Sequence, residues 1–172
     1  MDDLVTTRDT ARKQLSPELR LKIMRSIRSE NTRPERLLLA AVRLAAPGLR
    51  IVSHARRFAG RPDLYIPSLR LAFFVDGCFF HGCSRHCRIP RNNREYWMTK
   101  IEGNVTRDRR VRRALRSEGI SVWVFWEHSC HPKSLLHLAR RISRIVKRVE
   151  SRRDAEHSDR RDSRHPFFRH NS

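Results

Sequence analysis

Cys78-Phe79-Phe80-His81-Gly82-Cys83-Ser84-Arg85-His86-Cys87 packs metal-ligating side chains into one short loop, directly after the apolar run Leu71 to Val75. Cys78, Cys83 and His86, with His128 just beyond the stretch Trp123 to Trp126, offer four soft or borderline ligands. That is the number and kind a closed tetrahedral structural zinc site uses. Cys87, adjacent to His86, and Cys130, two residues past His128, are alternates. A zinc closed by four protein ligands has no open coordination position, so any chemistry must sit elsewhere. Phosphodiester hydrolysis needs an oxygen ligand for a hard cation such as Mg²⁺ and a base to activate water. Asp63 follows Gly60-Arg61-Pro62 at the start of one strand and Asp76 ends the next, so a hairpin brings both to one end of a sheet. His81 lies inside the cysteine cluster but off its ligand spacing, and is the natural general base, tunable near neutral pH. Asp108, within Thr106-Arg107-Asp108-Arg109-Arg110, would orient it as a carboxylate orients imidazole in a hydrolase triad. The plainer readings are an ion-pair partner among arginines for Asp108, a helix-capping acid for Glu35 and a turn acid for Asp63.

These residues need elements to hold them. Residues 1–15 are polar and expected to be mobile. Ser16-Pro17-Glu18 starts a helix to about Ser29, a hydroxyl cap followed by proline at the first helical position. Thr32-Arg33-Pro34-Glu35 has capping-box spacing and opens a second helix, with Leu37, Leu38, Ala41, Leu44 and Ala45 as its buried stripe and Pro47-Gly48 as its end. Strands follow at Ile51 to Ser53, Asp63 to Ile66 and Leu71 to Val75. The last is apolar on both faces, which predicts a central position. A polar helix from about Arg94 to Ser117 turns Trp97, Ile101, Val105 and Leu115 inward. Gly119 closes it before a strand over residues 120–126, and residues 132–149 form a basic amphipathic helix. From Glu150 the composition predicts a disordered basic tail. The expected architecture is one α/β domain over residues 16–149, a three-layer-like sandwich with a small mixed sheet flanked by helices.

The chain has 172 residues and a formal charge of +20, from 38 basic against 18 acidic side chains. Such a field draws it to polyanions and makes binding salt-sensitive. No apolar run approaches bilayer-spanning length, so a membrane partner is not expected. The polar N-terminus has no signal-peptide core, and the clustered cysteines read as metal ligands in a reducing cytoplasm rather than as disulfides.

Gly60-Arg61-Pro62-Asp63, then Val75-Asp76-Gly77-Cys78-Phe79-Phe80-His81-Gly82-Cys83, Glu95-Tyr96-Trp97, Asn104 to Arg110 and Trp126-Glu127-His128 together resemble the very short patch repair endonucleases, over about residues 16–140. The resemblance implies a bacterial, nucleoid-associated DNA mismatch enzyme. It would nick beside the thymine of a T·G mismatch left by deamination of 5-methylcytosine, using a type II restriction enzyme-like (PD-(D/E)xK) fold. It implies Asp63 and the Val75 backbone carbonyl as holders of catalytic Mg²⁺, His81 as general base, Asp108 as its paired carboxylate and Glu35 as a further active-site acid. It places Cys78, Cys83, His86 and His128 on the zinc positions. Phe79, Phe80 and Trp97 fall on the aromatic wedge, and Met24 on the helix residue entering the opposite groove. A monomer with functional links to a DNA cytosine methyltransferase and to mismatch-repair proteins is also implied. Asp76 stands where the best-known pattern has histidine, and Phe80 where it has tryptophan, so the part Asp76 plays at the catalytic centre is open. Two competing readings are a non-catalytic, zinc-stabilised basic nucleic-acid-binding protein and a nickase of this fold with a different substrate lesion or a role beside a restriction–modification system. The first has no need of Asp63, His81 and Asp108 together.

Overall fold

The structure is a computed structural model that describes residues 30–162, with side chains through Glu156 and at Ser158. Met24 and the helix expected over residues 16–29 lie outside the described residues. Helix α1 spans Arg33–Ala45. Thr32 caps it: its Oγ1 accepts from the Glu35 N–H and donates to Glu35 Oε1 at 2.7 Å, while Glu35 Oε2 accepts from the Asn31 N–H at 2.7 Å. The Thr32 half of the capping box read from sequence is therefore formed, while Glu35 returns to the Asn31 N–H and the Thr32 hydroxyl rather than to the Thr32 N–H. The buried stripe is Leu38, Ala41 and Val42, and Leu44 is 58% exposed. Six residues at about 100° each carry Leu44 well off the face that Leu38 marks, which corrects the expected stripe.

Four strands form one sheet in the order β1-β2-β3-β4: Val52–Ser53, Leu64–Ile66, Leu71–Asp76 and Ser121–Trp126. The first three pair antiparallel, and β3 and β4 pair parallel, so the sheet is mixed. β3 is hydrogen-bonded on both sides, as its two apolar faces predict. Leu71 and Phe73 point into one core with α1 and with the long helix α3, Leu135–Asp162; Ala72 and Phe74 point into the other. Helix α2, Arg94–Ser117, bridges β3 to β4 and buries Leu115 in that second core. Helices thus cover both faces of the sheet, in three layers. Among the described residues no helix is long and apolar enough to cross a membrane.

α3 runs on to Asp162, past the boundary expected at 149. Its inward residues, Leu138, Ala139, Ile142, Ile145, Val146 and Val149, stop at that boundary, so hydrophobic periodicity carries no signal beyond it. The helix persists because residues 150–162 contain no glycine or proline and keep alternating charges at helical spacing.

Candidate active site and cysteine–histidine centre

Register decides which side chains meet. Leu64 lies opposite Phe73 in the β2–β3 hairpin, so Asp63 reaches the end of β3, where its Oδ2 accepts a 2.7 Å hydrogen bond from the Val75 N–H. Asp76 ends the same strand, and His81 returns from the following loop. Asp108 and Arg112, four residues apart on one face of α2, come down on this end of the sheet. Gly60 permits the close approach: at φ +73° it sits where a Cβ would lie 2.3 Å from Val111 Cγ1 on α2. The result is a cleft of ≈ 450 Å³ lined by Glu35, Asp63, Val75, Asp76, His81 and Asp108, the residues singled out from sequence, together with the cations Arg61, Arg107 and Arg112.

His81 Nδ1 lies 2.6 Å from Asp108 Oδ2. An ionised carboxylate has no proton to give, so Nδ1–H donates, and Nε2 is left as the proton-accepting nitrogen. The other Asp108 oxygen accepts from Arg107 Nε at 3.2 Å and Nη2 at 3.0 Å. Asp108 thus joins an arginine ion pair and the histidine's hydrogen bond in one side chain. Asp76 is placed differently. It is 3.8 Å from His81 Nδ1, and both its oxygens accept from Arg112 Nη2, at 2.6 and 2.8 Å.

Burial pushes the Asp63 carboxyl up to about 6; the Val75 N–H opposes the rise, Glu35 adds to it, His54 opposes it and Asp76 adds to it. Glu35 Oε2 also lies 3.6 Å from His54 Nε2, and Glu35, His54 and Asp63 offer ligand atoms within 4.8 Å of one another. A buried acid that resists ionising beside other acids is the setting a cation relieves, and carboxylate oxygens suit Mg²⁺. Both Glu35 oxygens already accept capping hydrogen bonds, so Asp63 is the better-disposed ligand.

The cysteine–histidine centre follows from the parallel pair. Asp76 is level with Trp126, so two residues further on Cys78 and His128 come together, with Sγ and Nδ1 3.1 Å apart. Cys83 Sγ lies 3.6 Å from His86 Nδ1 and 3.7 Å from His128 Nδ1, and all four ligand atoms fall within 4.8 Å. A tetrahedron with Zn–S of about 2.3 Å and Zn–N of about 2.0–2.1 Å has edges of roughly 3.3–3.8 Å, so the four residues fit zinc. Burial acts to raise the Cys83 thiol, but hydrogen bonds from the His86 side chain and the Arg85 and His86 backbone outweigh it and bring it down to about 7. The alternates are elsewhere. Cys130 is part of the core under α3, where burial pushes its thiol up to about 12, and Cys87 Sγ donates to the Phe79 carbonyl.

The loop between the two centres carries an aromatic group. The Phe79 ring lies 5.0 Å from Trp97 and 5.2 Å from Phe80, and Trp97 lies 5.2 Å from Tyr96, which is 55% exposed. Phe79 and Phe80 are half-buried, and neither belongs to the sheet's two cores. Asn104 Nδ2 fixes the loop by donating to the Phe80 carbonyl at 3.0 Å.

Sequence reasoning missed His54, Arg107 and Arg112. His54 reaches Asp63 only through the β1–β2 pairing, where its N–H donates to the Asp63 carbonyl at 3.0 Å. The arginines gave no signal because α2 is crowded with them.

The chain matches the family model of the DNA mismatch endonuclease Vsr over residues 12–89. It is 41% identical over 136 residues to the type II nicking enzyme V.XorIIP of Xanthomonas oryzae, covering 77% of this chain and 96% of that protein. It is 40% identical over 117 residues to the type II nicking enzyme V.NmeDIP of Neisseria meningitidis, covering 67% and 78%. It is 36% identical over 111 residues to the DNA mismatch endonuclease Vsr of Escherichia coli, covering 63% and 69%. On these likenesses the chain belongs to the DNA mismatch endonuclease Vsr family.

Proposed function

We infer that this endonuclease nicks duplex DNA on one strand, beside the thymine of a T·G mismatch left by deamination of 5-methylcytosine, in a Mg²⁺-dependent reaction. The observation that carries this reading is the 2.6 Å His81–Asp108 pair in the cleft that also holds Asp63. Asp63, with the Val75 carbonyl, would hold the cation, which when bound withdraws charge from the phosphate oxygens. His81 Nε2 takes a proton from water as that oxygen bonds to phosphorus and the P–O ester bond breaks, the departing sugar oxygen taking a proton from solvent water. Asp108 keeps the imidazole in the accepting tautomer and stabilises the imidazolium. Arg61 and Arg107 border the cleft and suit a phosphodiester backbone. The restriction enzyme-like fold is in keeping with the mixed sheet and its flanking helices.

Phe79 and Phe80, backed by Trp97, suit a wedge into the base stack, with Met24 outside the described residues on the other groove. A T·G pair stacks and pairs less well than a Watson–Crick pair, so opening the step beside it costs less, and inserted rings repay part of a cost of a few kcal/mol. The variant Phe79→Ala/Phe80→Ala is expected to fold and bind DNA but to lose its preference for T·G over T·A duplexes. A folded double variant with full mismatch selectivity would refute the wedge.

Zinc at Cys78, Cys83, His86 and His128 would be structural, tying the loop after β3 to the end of β4. Metal analysis of the purified protein is expected to give about one zinc per chain, and Cys78→Ser or Cys83→Ser to cost the folded state. Protein without zinc and with freely reactive thiols contradicts this.

One chain supplies every group named, in keeping with a monomer. Its setting would be the nucleoid of a reducing cytoplasm, beside the cytosine methyltransferase whose product deaminates and the mismatch-repair proteins. The names of the relatives favour a second reading, in which the enzyme serves a particular restriction–modification system. Incision assayed on T·G duplexes in different flanking sequences tests both: nicking of T·G in any context supports the mismatch reading, and dependence on one methylation site adds the second. Equal incision of fully paired duplexes overturns the mismatch reading.

A further inference from the structure

The geometry points to Arg112 as a positioning residue that binds Asp76 into a neutral pair and withholds that carboxylate from both the catalytic cation and His81. The inference rests on the reading of Asp63 as the cation's ligand. Asp76 is the buried acid of the described core, 4% exposed, and sits one residue beyond Val75 at the mouth of the cation site. On position alone it would be the natural second acid for a metal, or a second partner for the histidine. In either role the carboxylate would have to share its oxygens with Arg112. Both Oδ1 and Oδ2 accept from Arg112 Nη2, at 2.6 and 2.8 Å. The acids also divide: Asp63 offers ligand atoms with Glu35 and His54, whereas Asp76 offers its own with His81 and Asp108, a set whose geometry could itself hold an ion and into which Arg112 puts its guanidinium instead.

The same guanidinium stands 3.9 Å from Asp108 Oδ2, so it lies between the two carboxylates. With Asp76 held, His81 Nδ1 has Asp108 at 2.6 Å as its hydrogen-bond partner and Asp76 only at 3.8 Å. Arg112 makes this arrangement at a cost to itself. Its Nε is buried with no hydrogen-bond partner among the described residues. A purely stabilising arginine would be expected to satisfy that donor, since buried unpaired donors are rare. Arg112 thus gives a carboxylate the net charge of a neutral side chain beside the base.

Calorimetric Mn²⁺ titration of the full-length, zinc-loaded protein tests the inference without relying on turnover. Asp76→Asn/Arg112→Gln removes both charges together and so leaves no uncompensated buried ion. This double variant is expected to bind Mn²⁺ with wild-type affinity. Arg112→Gln alone frees the Asp76 carboxylate beside the cation site, and is expected to bind Mn²⁺ at least about tenfold more tightly or to take up an additional ion. Loss of Mn²⁺ affinity in the double variant, by about tenfold or more, would make Asp76 a ligand and overturn the inference. If Arg112→Gln does not fold, the double variant decides alone. Asp63→Ala serves as the separating control. Undiminished Mn²⁺ binding there defeats the cation site itself, whereas its loss there beside wild-type binding in the double variant supports both statements.

Discussion

Replacing Asp63 with alanine is expected to stop nicking, lowering the single-turnover rate by about three orders of magnitude or more, the worth of several kcal/mol of charge stabilisation by a bound cation. Duplex binding should be nearly intact, because the change removes no basic contact. Wild-type nicking by Asp63→Ala would place the chemistry elsewhere. The raised Asp63 carboxyl adds a pH signature. Proton and cation compete for it, so the Mg²⁺ needed for half-maximal nicking should climb as pH falls below about 6. Stability in the absence of metal runs the other way. The folded value, about 6, exceeds the ordinary 3.8, so this group's contribution is fully present below the ordinary value and is lost as pH rises through about 6. Added Mg²⁺ should therefore raise the melting temperature more at about pH 8 than at about pH 5. Equal shifts at the two would show that Asp63 does not hold the ion.

His81→Ala should slow nicking by roughly two to four orders of magnitude, the usual cost of losing a general base. Asp108→Asn should also be impaired. The amide can donate to Nδ1 and so stabilise the tautomer whose Nε2 carries the proton, the wrong one for accepting it from water. Zinc content and melting behaviour of both variants should match the wild type, since His81 is not among the four residues of the cysteine–histidine centre. A wild-type rate for His81→Ala would reduce it to a packing residue and leave the acid cleft without a base.

What could be read from sequence divides along physical lines. β3 was legible because a strand buried on both faces must be apolar throughout, and α1 because its capping box is local. The four cysteine and histidine side chains that the structure brings together were legible as a set. Choosing them over Cys87 and Cys130 was a ranking on spacing, and the geometry behind it comes from the parallel register that sets Asp76 against Trp126. The Asp76–Arg112 pair was out of reach, since it joins residues 36 apart and one arginine among 38 basic side chains looks like solvated surface. Leu44 is apolar yet exposed because its helical phase turns it off the buried face, and the end of α3 leaves no mark in the sequence because outward-facing charge suits a helix no more than a coil.

The central claim is that this cleft cuts DNA selectively at a mispair. Its most direct test is single-turnover nicking of two duplexes alike in every base pair except one, T·G in the first and T·A in the second, with Mg²⁺ present and Asp63→Ala as control. The account predicts a nick beside the thymine of the T·G duplex, on that strand only. The rate should be about a hundredfold or more above the T·A duplex, the worth of the few kcal/mol that unstacking a well-paired step costs. Equal rates on the two duplexes, or T·G nicking that survives Asp63→Ala, would contradict it.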